Sequence, residues 1–220
     1  RFHRRQPLSG RADVDGGFVG PMDTDDVDII ACDRVFDGYS QLDAYRLRHR
    51  LFEGGWTGEI SRELLDRGPV VCVLPYDPVR DEVVLIEQFR IGAYGATLPP
   101  WQLEIVAGVV EDGETAEEVA RRETVEECGC EILALHFAGR GLSSSGILSE
   151  VATLYCGIVN SSGAGGVHGV AGEGEDIRAR VHSFDTAMKM VEEDAFHHMH
   201  GIAVLHWLNA HRDKLRGETP

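Results

Sequence analysis

Glu114, Arg122, Glu123, Glu126 and Glu127 fall within one run, GVVEDGETAEEVARRETVEECGC, from Gly108 to Cys130. Thr115 is placed to cap a helix, Glu118 follows three residues later, and Gly129 sits where a C′ glycine stops one, so the spacing predicts a helix over about 116–128. At about 100° per residue, Ala116, Val119, Ala120, Glu123 and Glu127 share a face, with Glu126 on its edge. Two carboxylates therefore extend the apolar stripe that must dock on a sheet. They lie in the last two turns, where the helix dipole disfavours negative charge, and Glu123 with Glu127 is a like-charge i,i+4 pair. Each penalty is about a few tenths of a kcal/mol, all of one sign. A hard divalent cation with oxygen ligands removes them together. Arg122, one turn from both Glu118 and Glu126, is expected to bridge them. The bland alternative is a solvated Glu/Arg helix.

The flanking elements must hold that helix. PVVCVLPYD at 69–77, a turn at 77–81 and EVVLIEQFR at 82–90 read as a hairpin, and WQLEIVA at 101–107 reads as a strand leading into the acidic run. Strands follow near 131–138, 151–159 and 177–184, then helices at about 185–194 and 200–215. Upstream, 27–36, 42–52 and 57–66 read as strands, with a turn at Gly54-Gly55, while 1–26 reads as a mobile arm. The fold class is α/β: a mixed sheet with helices on both faces, an α/β/α sandwich, preceded by a small antiparallel β unit. The expected division is an arm over 1–26, a β unit over 27–67 and a catalytic domain over 68–216. Residues 160–175, NSSGAGGVHGVAGEGE, read as a glycine-rich loop, either plain surface or a mobile lid carrying Glu173, Glu175 and Asp176 toward the metal.

With 21 Lys and Arg against 37 Asp and Glu, the chain carries a net charge of −16. Sequence-independent nucleic-acid binding, which needs cations against phosphates, is excluded as an expectation; a small phosphate ester is not, if metal ions neutralise it. Cys32, Cys72, Cys128, Cys130 and Cys156 lack zinc-ligand spacing and read as free thiols of a reducing cytoplasm. No apolar run reaches the roughly 20 residues of a membrane span, so no membrane partner is expected. His197, His198 and His200 straddle a helix start without the i,i+4 spacing of a zinc helix, and His168 and His206 lie apart, so no transition-metal site is expected from the histidines.

The run from Gly108 reads glycine, five residues, Glu, seven residues, Arg-Glu, two residues, Glu-Glu, one residue, glycine. It resembles the Nudix box of the Nudix hydrolase superfamily at every charged and glycine position, departing at Thr124 and Cys130, where larger aliphatic residues are usual. LFEGG, RELLDRG, LPYDPVRDEVVLIEQFRIGAY, PWQLEIVAG, GEDIR and LHWL resemble the bacterial ADP-ribose pyrophosphatase branch, over about residues 27–212. The resemblance implies Mg²⁺-dependent hydrolysis of ADP-ribose to AMP and ribose 5-phosphate, with Mn²⁺ as an alternative ion. It implies that the Ala107 carbonyl, Glu123, Glu127 and Glu175 hold the metals with Glu126 close by, and that Glu173 is the general base. Arg90 and Glu150 match substrate contacts, as do Ser144 and Gly146 in the turn before Glu150. Arg62 and Arg67 match positions that family dimers use, and Tyr39 an aromatic that stacks on adenine. A homodimer with exchanged N-terminal units is implied.

These roles suit the chemistry. A pyrophosphate repels its nucleophile, so metal ions and an arginine must neutralise it, and a carboxylate base on a mobile loop acts only after closure. The family's Ser-Pro-Gly turn reads Ser144-Ser145-Gly146 here, which keeps another nucleotide sugar, such as a GDP-sugar, open as substrate. Glu173 and Glu175 could exchange roles. A non-hydrolytic sensor of the same fold is the rival from another class; loss of box carboxylates would mark it, and all are present.

Overall fold

A computed structural model describes residues 22–217 apart from Ala171 and Glu173. Of the expected arm, residues 1–21 lie outside the described residues. Thr24–Asp26 form a 3₁₀ turn, with the Asp25 amide bonded to the Asp23 side chain and the Asp23 amide to that of Asp26. The described chain divides into two compact units, 22–33 with 44–62, and 34–43 with 63–217. Strands β1 (Val27–Asp37), β2 (Gln41–His49) and β3 (Ile60–Asp66) form the expected antiparallel three-stranded sheet, in order β1-β2-β3, and each contributes residues to both units. In the first unit, Arg48 pairs with Asp28 at 2.7 Å and Arg46 with Glu59 at 2.9 Å.

The second unit is built on a hairpin, β4 (Val70–Asp77) and β5 (Glu82–Phe89). Its turn is held by Asp77, whose Oδ1 accepts the Val79 and Arg80 amides at 2.9 and 3.0 Å. After a short helix α1 (Ile91–Gly95), the single strand expected over 101–107 is two: β6 (Trp101–Glu104) pairs with β5, and β7 (Val106–Val109) pairs with β4. The reason lies in the hairpin. β5 meets β4 only at Tyr76↔Val83 and Asp77↔Glu82, so the incoming chain follows β5 and then steps across to β4 at Ile105.

Next come α2 (Ala116–Cys128), β8 (Ala134–Leu142) and β9 (Val151–Ile158). β8 starts and ends later than the expected 131–138 and is irregular between Phe137 and Gly139. The glycine-rich stretch contains a strand as well as loop: β10 (Gly166–His168) pairs antiparallel with β11 (Ile177–Ser183), a correction to its reading as loop throughout. The chain ends in α3 (Phe184–Glu192) and α4 (Met199–Gly217).

The sheet order is β10-β11-β5-β4-β9-β8, with β4 and β9 parallel and the other ladders antiparallel. Central strand β4 is an unbroken apolar run because both its faces are covered. Val71 and Val73 pack with Val119, Ala120 and Cys128 of α2 on one side. Cys72, Leu74 and Tyr76 pack with Phe184 and Ala187 of α3 and with Val204, Leu205 and Leu208 of α4 on the other. The expected α/β/α sandwich is the observed architecture. Helix α4 is fastened by Asp81, which receives Arg212 Nε at 2.8 Å and Arg216 Nη1 at 2.6 Å beside the Tyr76 hydroxyl.

Candidate active site

Local chemistry starts and stops α2. The Glu118 amide donates to Thr115 Oγ1 at 3.2 Å and the Thr115 amide to Glu118 Oε2 at 2.8 Å, while Gly129 ends the helix in the left-handed region at φ 70°. That cap corrects one expectation: Glu118 is committed to Thr115 rather than to Arg122. Arg122 instead reaches Glu123 at 2.8 Å, Glu126 at 3.1 Å and Glu114 at 3.5 Å. Thr124 is fully buried on the docking face, which its hydroxyl tolerates by donating to the Ala120 carbonyl at 2.7 Å.

The carboxylates of the last turns lie against β7. Glu127 is 4% exposed and accepts the Ala107 amide at 3.0 Å. Burial pushes its carboxyl up to about 8; the Ala107 hydrogen bond opposes that, Glu123 and Glu175 reinforce it, and Arg90 opposes it. Glu123 is also raised, by burial first, with Arg122 opposing and Glu126 and Glu175 adding to the shift. Its side chain lies over Gly108, where an added Cβ would stand 2.3 Å from Oε1. The box begins with glycine because the carboxylate occupies the space of a side chain.

Glu175, beyond β10, accepts the Val170 amide at 3.2 Å, and its charge acts on Glu123, Glu127 and Arg90. The expected ligand glutamates thus share one electrostatic neighbourhood, although the described residues that converge within 4.8 Å are a different set, Cys72, His198 and His200. Glu126 remains partly exposed on Arg122. Glu173 lies outside the described residues.

Arg90 follows β5 and is gripped by Glu104 of β6, with Nε at 3.0 and 3.1 Å from the two oxygens and Nη2 at 2.8 Å from Oε2. Sequence reasoning missed Glu104. Its signal was the alternation of WQLE, which puts Gln102 and Glu104 on one strand face; both are buried, an uncommon pair in a strand interior.

A second cluster gathers Tyr39, Arg67 and Glu150. The Arg67 guanidinium lies 5.7 Å over the Tyr39 ring and 3.7 Å from Glu150 Oε2, and Glu150 Oε1 accepts the Ser143 hydroxyl at 2.6 Å. The loop carrying Ser144 and Gly146 is tied to the end of β3: the Leu65 amide donates to the Ile147 carbonyl at 2.8 Å, and the Arg67 amide to Ser149 Oγ at 2.7 Å. Arg62 donates to the carbonyl of its neighbour Ser61 at 2.7 Å. Ser143, also missed, links Glu150 to His200 Nε2 at 3.2 Å.

A family model described as NUDIX domain matches residues 66–196. ADP-ribose pyrophosphatases from Escherichia coli and Shigella flexneri are 45% identical over 193 residues, 88% of this chain and 92% of theirs. One from Haemophilus influenzae is 38% identical over 196 residues, 87% and 89% of the two chains. A GDP-mannose pyrophosphatase from Yersinia pestis is 33% identical over 107 residues, 48% of this chain and 53% of that one. The crystal structure of an ADP compounds hydrolase shares the fold, with a TM-score of 0.65 at 19% identity over 87% of this chain and 95% of that one. With the box helix, its buried carboxylates and these relatives together, the chain is a member of the Nudix hydrolase family, in the branch that holds the ADP-ribose pyrophosphatases.

Proposed function

We propose that this chain hydrolyses the diphosphate of ADP-ribose to AMP and ribose 5-phosphate, using Mg²⁺ or Mn²⁺. The observation that carries the reading is Glu127, a nearly buried carboxylate fastened to the Ala107 amide at the end of the box helix, with the charges of Glu123 and Glu175 acting on it. An all-oxygen donor set of Glu123, Glu127, Glu175 and the Ala107 carbonyl fits a hard divalent ion, which would supply charge neutralisation of the diphosphate and acidification of water. Arg90, oriented by Glu104, binds a phosphate oxygen. Glu173 takes the proton as the water oxygen bonds to phosphorus and the bridging P–O bond breaks, with Glu126 and Arg122 adjusting the charge beside it. Tyr39, Arg67, Glu150, Ser144 and Gly146 bind the remainder of the substrate, and Arg62 serves a partner subunit.

The exposure of Val35, Phe36 and Tyr39, at 57%, 59% and 93%, supports a homodimer through the N-terminal strands. The five free cysteines suit the cytoplasm, and among the described residues no helix is long and apolar enough to cross a membrane. Ser145 favours, as a second reading, a different nucleotide sugar such as a GDP-sugar. A panel of nucleotide diphosphate sugars, assayed by phosphate release after phosphatase treatment, tests the choice. ADP-ribose should give the highest kcat/KM, and a clearly higher value for another sugar overturns it. Light scattering should give a dimer; a fully active monomer refutes the exchanged unit.

A further inference from the structure

The sheet carries its oxygen donors on the α2 side. On the α4 side, Cys72 of β4 meets His198, just before α4, and His200 in the first turn of α4, and their ligand atoms all lie within 4.8 Å of one another. From this geometry we infer a second metal site, in which Cys72, His198 and His200 bind a soft divalent transition ion of the Zn²⁺ class. It is distinct in place and chemistry from the site of the box carboxylates, since thiolate and imidazole select such ions whereas carboxylates select Mg²⁺.

The donors are prepared for it. His200 Nε2 faces Ser143 Oγ at 3.2 Å, and that hydroxyl is turned to Glu150 at 2.6 Å. The ring therefore donates from Nε2 and presents the Nδ1 lone pair, oriented by an outer partner as ligating histidines are. The buried Ile105 amide donates to His198 Nδ1 at 3.4 Å, a long hydrogen bond that the ring would give up to bind an ion. The two rings stand edge to face, 5.3 Å apart at 76°.

Cys72 is 2% exposed, and burial pushes its thiol up to about 12, so ion binding must displace that proton. Bond lengths of about 2.3 Å to sulfur and 2.0–2.1 Å to nitrogen need only modest side-chain rotation to close the site. Three protein ligands leave one tetrahedral position for solvent. Occupancy would pin the start of α4 to the centre of β4 at Cys72, which pairs with Ala107 in the β4–β7 ladder.

The full-length protein, treated with chelator and then saturated with Mg²⁺ to fill oxygen sites, is titrated with Co²⁺ and followed by absorption. One equivalent should build a thiolate-to-cobalt charge-transfer band that Zn²⁺ bleaches. Cys72→Ser and His200→Gln should each abolish it, and Glu127→Gln should keep it. His200 is only partly buried, so its variant is expected to retain the far-UV circular dichroism of the parent and decides the matter if Cys72→Ser does not fold. Absence of the band in the parent, its survival in either ligand variant, or its loss with Glu127→Gln overturns the site.

Discussion

The amide of Ala107 donates to the Glu127 carboxylate at 3.0 Å, fastening the last turn of α2 to β7 at a side chain whose acid form burial favours up to about pH 8. In the unfolded chain the same group titrates near 4.5. Between those values the metal-free fold holds a proton that the unfolded chain has lost, so this group's contribution is complete below about pH 4.5 and declines as pH rises toward 8, by at most ~1.4 kcal/mol per pH unit. Urea midpoints measured in chelator should therefore fall more steeply from pH 5 to 8 for the parent than for Glu127→Gln. Parallel profiles would show that Glu127 is not the group responsible.

The same substitution separates fold from chemistry. Glutamine keeps an acceptor for the Ala107 amide, so Glu127→Gln should fold, yet it removes a charged oxygen from the ion's shell. Turnover at saturating Mg²⁺ should fall by at least about 10²-fold, within the span of effects expected when an electrostatic contribution to the transition state is removed. Unchanged kcat contradicts the assignment.

Glu173→Gln should lower kcat by about 10²- to 10⁴-fold with KM little altered, the range for a lost general base. Glu175→Gln should instead raise the Mg²⁺ concentration needed for half-maximal activity. If the two phenotypes are exchanged, so are the roles.

What could be read from sequence divides by distance along the chain. Thr115, Glu118 and Gly129 act within a few residues of the helix ends they fix, so α2 was legible to its last residue. The break at Ile105 was not, because it results from β5 and β4 competing for one passing strand. Arg122 was expected to bridge Glu118 and Glu126, and only the second pair formed, because the Thr115 cap that the same spacing announced takes Glu118. Gly165 and Gly166 at positive φ concealed β10, which exists because β11 offers it an edge. Cys72 meets His198 and His200 only when α4 folds back over β4, so neither cysteine nor histidine spacing could disclose the cluster.

Arg90 holds Glu104 through two nitrogens, a grip that a lysine cannot reproduce. Arg90→Lys should keep the positive charge and the fold but lose the oriented second donor. Loss of one charge-assisted hydrogen bond of about 1.5–3 kcal/mol corresponds to a KM raised about ten- to hundredfold. A KM within twofold of the parent would remove Arg90 from the substrate site.

Gly108→Ala tests whether the carboxylate over the box glycine is placed for an ion. The backbone there is not in the left-handed region, so alanine brings no strain of its own; the conflict is with Glu123, whose Oε1, Cγ and Cδ stand 2.3, 2.4 and 2.5 Å from the new Cβ position. The far end of a flexible side chain can swing away, so stability should fall by no more than about 1–3 kcal/mol, the usual cost of modest overpacking. The displaced carboxylate then leaves its place beside Gly108. Half-activation by Mg²⁺ should move about tenfold or more to higher concentration, while kcat at saturation recovers most of its value. If Mg²⁺ dependence is unchanged while the variant remains folded, Glu123 does not bind the ion from the position it holds over Gly108.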